Sequence, residues 1–148
     1  MNNKVQRKVR LNIDEIRNIT LFESLTGAGA LDCINEEDRI AYLVKKGEMG
    51  LAIGREGINI KRVKNSVGKD VWIVETADNA VNFIKNMFLP VKVRQIRINT
   101  VNNENTAIVE ISKKDKKTVL GENKKILNIA KEFSKRHYQI SDITVKLI

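Results

Sequence analysis

The apolar positions change their spacing at intervals along the chain, and each change marks a new element. From Asn12 to Leu25 the residues Ile13, Ile16, Leu21, Phe22 and Leu25 fall near a 3.6-residue period, which predicts an amphipathic helix. Thr26-Gly27-Ala28-Gly29 breaks that period, and Ala30 to Ile34 then predicts a short strand. A second strand is predicted over Arg39 to Val44, followed by helices over Glu48 to Ile53 and Ile58 to Val67, parted by Gly54-Arg55-Glu56-Gly57. Gly68 stops the last helix, and Val71 to Val74 closes the series as a strand.

The same succession then begins again. Asp78 to Phe88 carries Val81, Ile84, Met87 and Phe88 at helical spacing, with Asp78 as the expected N-cap. Pro90 ends this helix. Val91, Val93, Ile96 and Ile98 predict a strand whose phase slips near Gln95, as at a bulge. A strand over Thr106 to Ile111, helices over Lys114 to Leu120 and Lys124 to Lys135 with a turn at Gly121, and a strand over Ile143 to Leu147 complete it. Sliding the chain along itself by 67 positions pairs Ile53 with Leu120, Gly54 with Gly121 and Ile60 with Leu127. The order helix, strand, strand, helix, helix, strand therefore occurs twice, which predicts an α+β protein of two domains, 1 to 76 and 77 to 148.

Composition narrows the function classes. Of 148 residues 42% are hydrophobic and 5% aromatic, so each core is aliphatic and the protein is expected to be soluble and globular. No apolar run approaches the length of a membrane span, and the basic stretch Met1 to Arg10 lacks the apolar segment of a signal peptide; a reduced cytoplasmic setting without membrane association is expected. Cys33 and His137 are the single cysteine and histidine, too few for a four-ligand zinc site or an internal disulfide, and no cofactor is expected. The net charge is +9. Residues 112 to 136 hold nine basic residues (Lys113, Lys114, Lys116, Lys117, Lys124, Lys125, Lys131, Lys135, Arg136) against the acids Asp115, Glu122 and Glu132, a local excess suited to a polyanion.

The turn from Gly54 to Gly57 carries the most specific chemistry. Glycines at both ends allow a tight reversal and let a phosphate approach main-chain N–H groups at a helix start. Ile53, Ile58 and Ile60 would supply an apolar floor for unstacked bases, while Arg55, Lys61 and Arg62 attract phosphates. The second turn, Gly121-Glu122-Asn123-Lys124, has lysine at its fourth position. If that position requires φ > 0, Lys124 costs on the order of 1 kcal/mol and the turn is rebuilt, with Asn123 a tolerable left-handed residue.

Ile53-Gly54-Arg55-Glu56-Gly57 matches the Ile-Gly-x-x-Gly loop of the KH domain, and the helix and strand placed before each core match its prokaryotic, type II arrangement. Over nearly the whole chain the sequence resembles the archaeal NusA family, through Ile16 to Gly27 (IRNITLFESLTG), Val44 to Gly57 (VKKGEMGLAIGREG) and Ala130 to His137 (AKEFSKRH). That resemblance implies a transcription termination or elongation factor made of two KH domains that binds single-stranded RNA near RNA polymerase and catalyses no reaction. By the same implication the RNA-binding residues are Ile53 to Ile58, Ile60, Lys61 and Arg62, with Gly121, Glu122, Asn123, Lys124 and Lys125 in the second domain, all on one rigid platform in a monomer. A ribosome-associated KH protein and a KH-derived protein-interaction module are the alternatives.

Other chemistry finds less support. Gly68-Lys69 lacks the rest of a nucleotide-binding P-loop, and Gly27-Ala28-Gly29 has Asp32 where a dinucleotide fingerprint needs glycine. His137 has no evident catalytic companion and is expected to stabilise a helix C-terminus. Glu36-Glu37-Asp38 reads as a solvated turn, Cys33 as a small packing residue, and Trp72 as core or interface.

Overall fold

A computed structural model describes residues 11 to 148; the basic stretch up to Arg10 lies outside the described residues. These residues form two compact units, one ending at Thr76 and the other starting at Ala77. The first contains α1 (Ile13–Thr26), β1 (Ala30–Asn35), β2 (Arg39–Val44), α2 (Met49–Ile53), α3 (Ile58–Val67) and β3 (Asp70–Glu75). Its sheet runs β1-β2-β3, with β2 antiparallel to β1 and parallel to β3.

Every residue of the central strand β2 is buried. Its Ile40, Tyr42 and Val44 meet Ile19 and Phe22 of α1, Ala52 of α2 and Val63 of α3 in one core. Phe22 and Tyr42 stack with ring centroids 4.2 Å apart, and the Tyr42 hydroxyl donates to the Asn18 carbonyl (3.2 Å). Burial pushes that phenol far above its usual pKa. Cys33 is buried in the same core, as a packing residue should be.

The expected stripe on α1 is corrected in part: Ile13 and Ile16 are 68% and 50% exposed. Nine residues make two and a half helical turns, so Ile13 faces away from Phe22, and Ile16 lies nearer to Ile13's side than to the core. The helix start is well defined all the same. The Asn12 side chain accepts from the Glu15 N–H (2.8 Å) and Glu15 accepts from the Asn12 N–H (3.0 Å), a reciprocal cap. The acidic turn before β2 has a partner: Glu36 and Asp38 lie 3.5 and 3.1 Å from the buried Arg39 guanidinium.

The second unit contains α4 (Ala80–Phe88), β4 (Gln95–Val101), β5 (Glu104–Ile111), α5 (Lys116–Leu120), α6 (Lys125–Tyr138) and β6 (Ile140–Leu147), in the sheet order β4-β5-β6 with the same mixed pairing. Its core gathers Phe83, Ile84 and Phe88 of α4, Val109 and Ile111 of β5, Phe133 of α6 and Ile143 of β6. His137 is buried in this unit, within 5.9 and 6.3 Å of the Phe83 and Phe133 rings, so it packs in the core at the last turn of α6. The Tyr138 hydroxyl donates to the Ala77 carbonyl (2.6 Å) and ties the end of α6 to the start of the unit.

Two sequence expectations shift here. The N-cap of α4 is Asn79 and not Asp78: Asn79 is the residue with extended backbone, and its side chain accepts from the Asn82 N–H (2.8 Å). The strand expected from Val91 begins at Gln95, the point of the phase slip, because the Val91 N–H turns back to the Phe88 carbonyl (2.9 Å) and Val91 buries itself outside the ladder. Among the described residues no helix is long and apolar enough to cross a membrane.

Candidate nucleic-acid interface

Each unit carries a glycine loop where a short helix gives way to a longer one. In the first, the Gly54 N–H donates to the Gly50 carbonyl (2.9 Å) to end α2, and the Gly57 N–H reaches back to the Gly54 carbonyl (3.1 Å). Gly54 has φ 74° and ψ 172°, a region open almost only to glycine. Space forbids a side chain there as well, since a Cβ would lie 2.7 Å from Asn59 Cγ and 2.9 Å from the Asn59 backbone nitrogen. Glu56 (φ 54°) and Gly57 (φ 76°) are left-handed and aim the chain into α3. Asn59 latches the turn: its Nδ2 donates to the Leu51 carbonyl at the end of α2 (2.8 Å).

The start of α3 has no side-chain cap, as is also true of α2, α5 and α6. Asn side chains cap α1 and α4, but Gly57, as N-cap of α3, offers no side-chain acceptor. First-turn N–H groups have no partner within their own helix, although here the Ile58 N–H donates to the Arg55 carbonyl of the turn, and the helix dipole adds positive potential where they emerge. Arg55, Lys61 and Arg62 are exposed around this end, with Glu56 the acid of the loop; Arg62 also donates to Asn59 Oδ1 (3.5 Å). A helix start flanked by exposed cations is chemistry that suits an anion.

The expected apolar floor divides into two places. Ile53 and Ile58 are exposed beside the loop, together with Leu51, whereas Ile60 is half-buried and lines a cleft between α3 and β3. Lys61, Lys64, Asp70, Val71 and Trp72 complete that cleft, and Lys64 and Asp70 form an exposed ion pair (3.4 Å). β3 borders it as an edge strand, so among the described residues the N–H and C=O groups on its outer side have no strand partner. The sequence pattern does not point to Lys64, Asp70 or Trp72 as lining such a cleft. Trp72 is half-buried, with the Arg39 guanidinium 4.3 Å from its ring centroid. Strand alternation carries the signal, because Val71 and Ile73 pack on the core and Trp72 must face the other side.

The second loop keeps the hydrogen-bond frame of the first: Gly121 N–H to the Lys117 carbonyl (2.9 Å), then Lys124 N–H to the Gly121 carbonyl (3.0 Å). Its dihedral path is rebuilt. Gly121 is extended (φ −79°, ψ 177°), and Glu122, Asn123 and Lys124 follow with φ of 50°, 61° and 58°. The fourth position does take φ > 0, and Lys124 bears it at a cost of about 1 kcal/mol. A Cβ on Gly121 would collide with the Lys117 carbonyl oxygen. Ile126 stands where the first unit has Asn59, and Asn128 Nδ2 instead holds the Asn123 carbonyl (3.2 Å). Glu122, Asn123 and Lys124 are exposed and Lys125 is half-buried, while Gly121 lines a groove with Lys113, Lys114, Lys116, Lys117 and Leu120.

The residues set aside from sequence have structural duties. Lys69 Nζ donates to Asn35 Oδ1 and the Glu36 carbonyl (2.6 Å each). The Gly29 N–H donates to Glu48 (2.7 Å) and the Ala30 N–H to Glu23 (3.0 Å), which fixes the connection between α1 and β1.

Comparison with known proteins agrees with this geometry. The family model for the KH domain matches residues 15 to 87, a span that holds the whole first loop and the α3–β3 cleft. A protein of Methanocaldococcus jannaschii described as "Probable transcription termination protein NusA" is 37% identical over 138 residues, covering 93% of this chain and 75% of its own. One of Halococcus morrhuae under the same description is 35% identical over 136 residues, covering 92% of this chain and 97% of its own. Among solved structures, the crystal structure of APE1850 is 30% identical, covers 92% of this chain and 100% of its own, and superposes with a TM-score of 0.80. Two mixed sheets, each with helix and strand ahead of its core, are the type II KH arrangement, and with these relatives along nine-tenths of its length the chain belongs to the archaeal NusA family.

Proposed function

We propose that the protein is a single-stranded RNA-binding transcription factor, acting in termination, antitermination or elongation through two KH domains, 1 to 76 and 77 to 148. Phosphates of the strand sit at the Gly54-to-Gly57 loop, against the first-turn N–H groups of α3 and the cations Arg55, Lys61 and Arg62. Bases rest on Ile53 and Ile58 and enter the α3–β3 cleft, where the open edge of β3 meets their hydrogen-bonding edges. The second domain, through Gly121 to Lys125, extends the track, and joining two weak sites raises apparent affinity because the second contact is intramolecular. The naming of the relatives as probable transcription termination proteins supports a place beside RNA polymerase on nascent RNA. The role is binding, not catalysis.

The observation that carries this reading is the uncapped start of α3 behind a turn that leaves no side chain at Gly54 or Gly57, flanked by exposed isoleucines. A phosphate and a base thus find their chemistry within one turn of chain. The test is Arg55→Asp with Glu56→Asp, which makes the loop acidic without touching the core, assayed on a pool of short single-stranded RNAs at two salt concentrations beside duplex DNA. The wild type should prefer RNA, and the folded variant should lose about tenfold or more in affinity. Equal binding of RNA and DNA by both proteins, with one salt slope, overturns the reading.

A further inference from the structure

We propose that the second unit has its own nucleic-acid site, a lysine groove ahead of its glycine loop, which holds phosphodiester backbone without regard to base. This rests on the reading of the protein as a nucleic-acid binder and deepens it. The groove is lined by Lys113, Lys114, Lys116, Lys117, Leu120 and Gly121. A 3₁₀ turn over Lys113–Asp115 runs straight into α5, so the four lysines sit within about one turn of each other, where like charges repel. All four are exposed, and among the described residues none of them forms an ion pair.

That concentration is particular to the second unit. The corresponding positions of the first, at the same 67-residue offset, are Lys46, Gly47, Met49 and Gly50. The groove is poorly suited to base reading. Among the described residues its apolar lining is Leu120 and Gly121, with no aromatic ring for stacking. Unpartnered cations in one groove gather small counterions, and a phosphate chain that displaces them gains their release. The rebuilt loop at the far end supplies Lys124 as a further exposed cation.

The test compares the wild type with the variant Lys113→Gln/Lys114→Gln/Lys116→Gln/Lys117→Gln on poly(U), poly(A) and poly(C) across a salt series, with thermal melting to verify the fold. Each neutralised phosphate contributes about 0.7 to the salt slope on a single strand, so the slope should fall by nearly 3. Low-salt affinity for the three polymers should fall by one common factor of about a hundredfold or more, while their ratios stay as in the wild type. The pair Lys116→Gln/Lys117→Gln, which leaves the 3₁₀ turn intact, should give about half the change in slope. An unchanged slope, or a loss confined to one polymer, overturns the proposal. The Arg55→Asp/Glu56→Asp variant separates the two readings: if it abolishes base preference while the lysine variants keep the full slope, the groove fails and the first loop stands, and the reverse pattern rejects the first loop and leaves the groove.

Discussion

Gly54 and Gly121 open loops with the same hydrogen-bond frame, yet they are glycines for different reasons. At Gly54 both the left-handed φ and the crowding by Asn59 exclude a side chain; Gly121 has ordinary extended dihedrals and is held to glycine by the Lys117 carbonyl alone. The fourth positions differ again. At Gly57 a Cβ would find its nearest neighbour 3.9 Å away, so only conformation favours glycine there, and in the second loop Lys124 accepts the left-handed conformation. The first position of such a loop is therefore fixed by space, whereas the fourth is set by a modest torsional cost that another residue can meet. The first unit keeps an open turn among isoleucines; the second has surrendered it and surrounds the rebuilt turn with lysines.

The sharpest way to break this contrast is Gly54→Ala. Torsional strain and the clash with the Asn59 backbone together should destabilise the first unit by about 3 kcal/mol in urea unfolding, and an effect below about 1 kcal/mol would mean that the turn and Asn59 give way at little cost. Next in size is Asn59→Ala, which strands the Leu51 carbonyl and should cost about 1 kcal/mol by the same measurement. The smallest change runs the other way. Lys124→Gly relieves left-handed strain but adds chain entropy to the unfolded state, so it should stabilise the second unit by about 0.5 kcal/mol; destabilisation would show that the Lys124 side chain contributes more by packing than its backbone costs.

Much of the fold was legible because periodicity and glycine punctuation act locally. The reading of β2 as Arg39 to Val44 and of α3 as Ile58 to Val67 coincides with the structure residue for residue. Errors arose where a neighbour in space decides. Val91 looks like strand, but a turn onto Phe88 removes it from the ladder; Ile13 and Ile16 look like core, but the face of α1 that meets the sheet is set by Ile19 and Phe22. At the candidate site, the glycine loop announces itself as a string of residues. The cleft does not, since Ile60 and Lys61 reach Asp70 and Trp72 only after β3 pairs beside β2. Asn59 went unnoticed for the same reason, as its partner lies eight residues away across the turn.

The Asn59 hydrogen bond to Leu51 also defines what could be transplanted. Moving Gly54 to Gly57 into the second unit as a four-residue cassette would set Gly54's unusual backbone against Ile126, which has no side-chain amide to hold the end of the preceding helix. The portable part is longer than the glycine signature by which it is recognised: it runs from the carbonyl of Leu51 to the side chain of Asn59, and a graft that omits either end carries the letters of the loop without its shape.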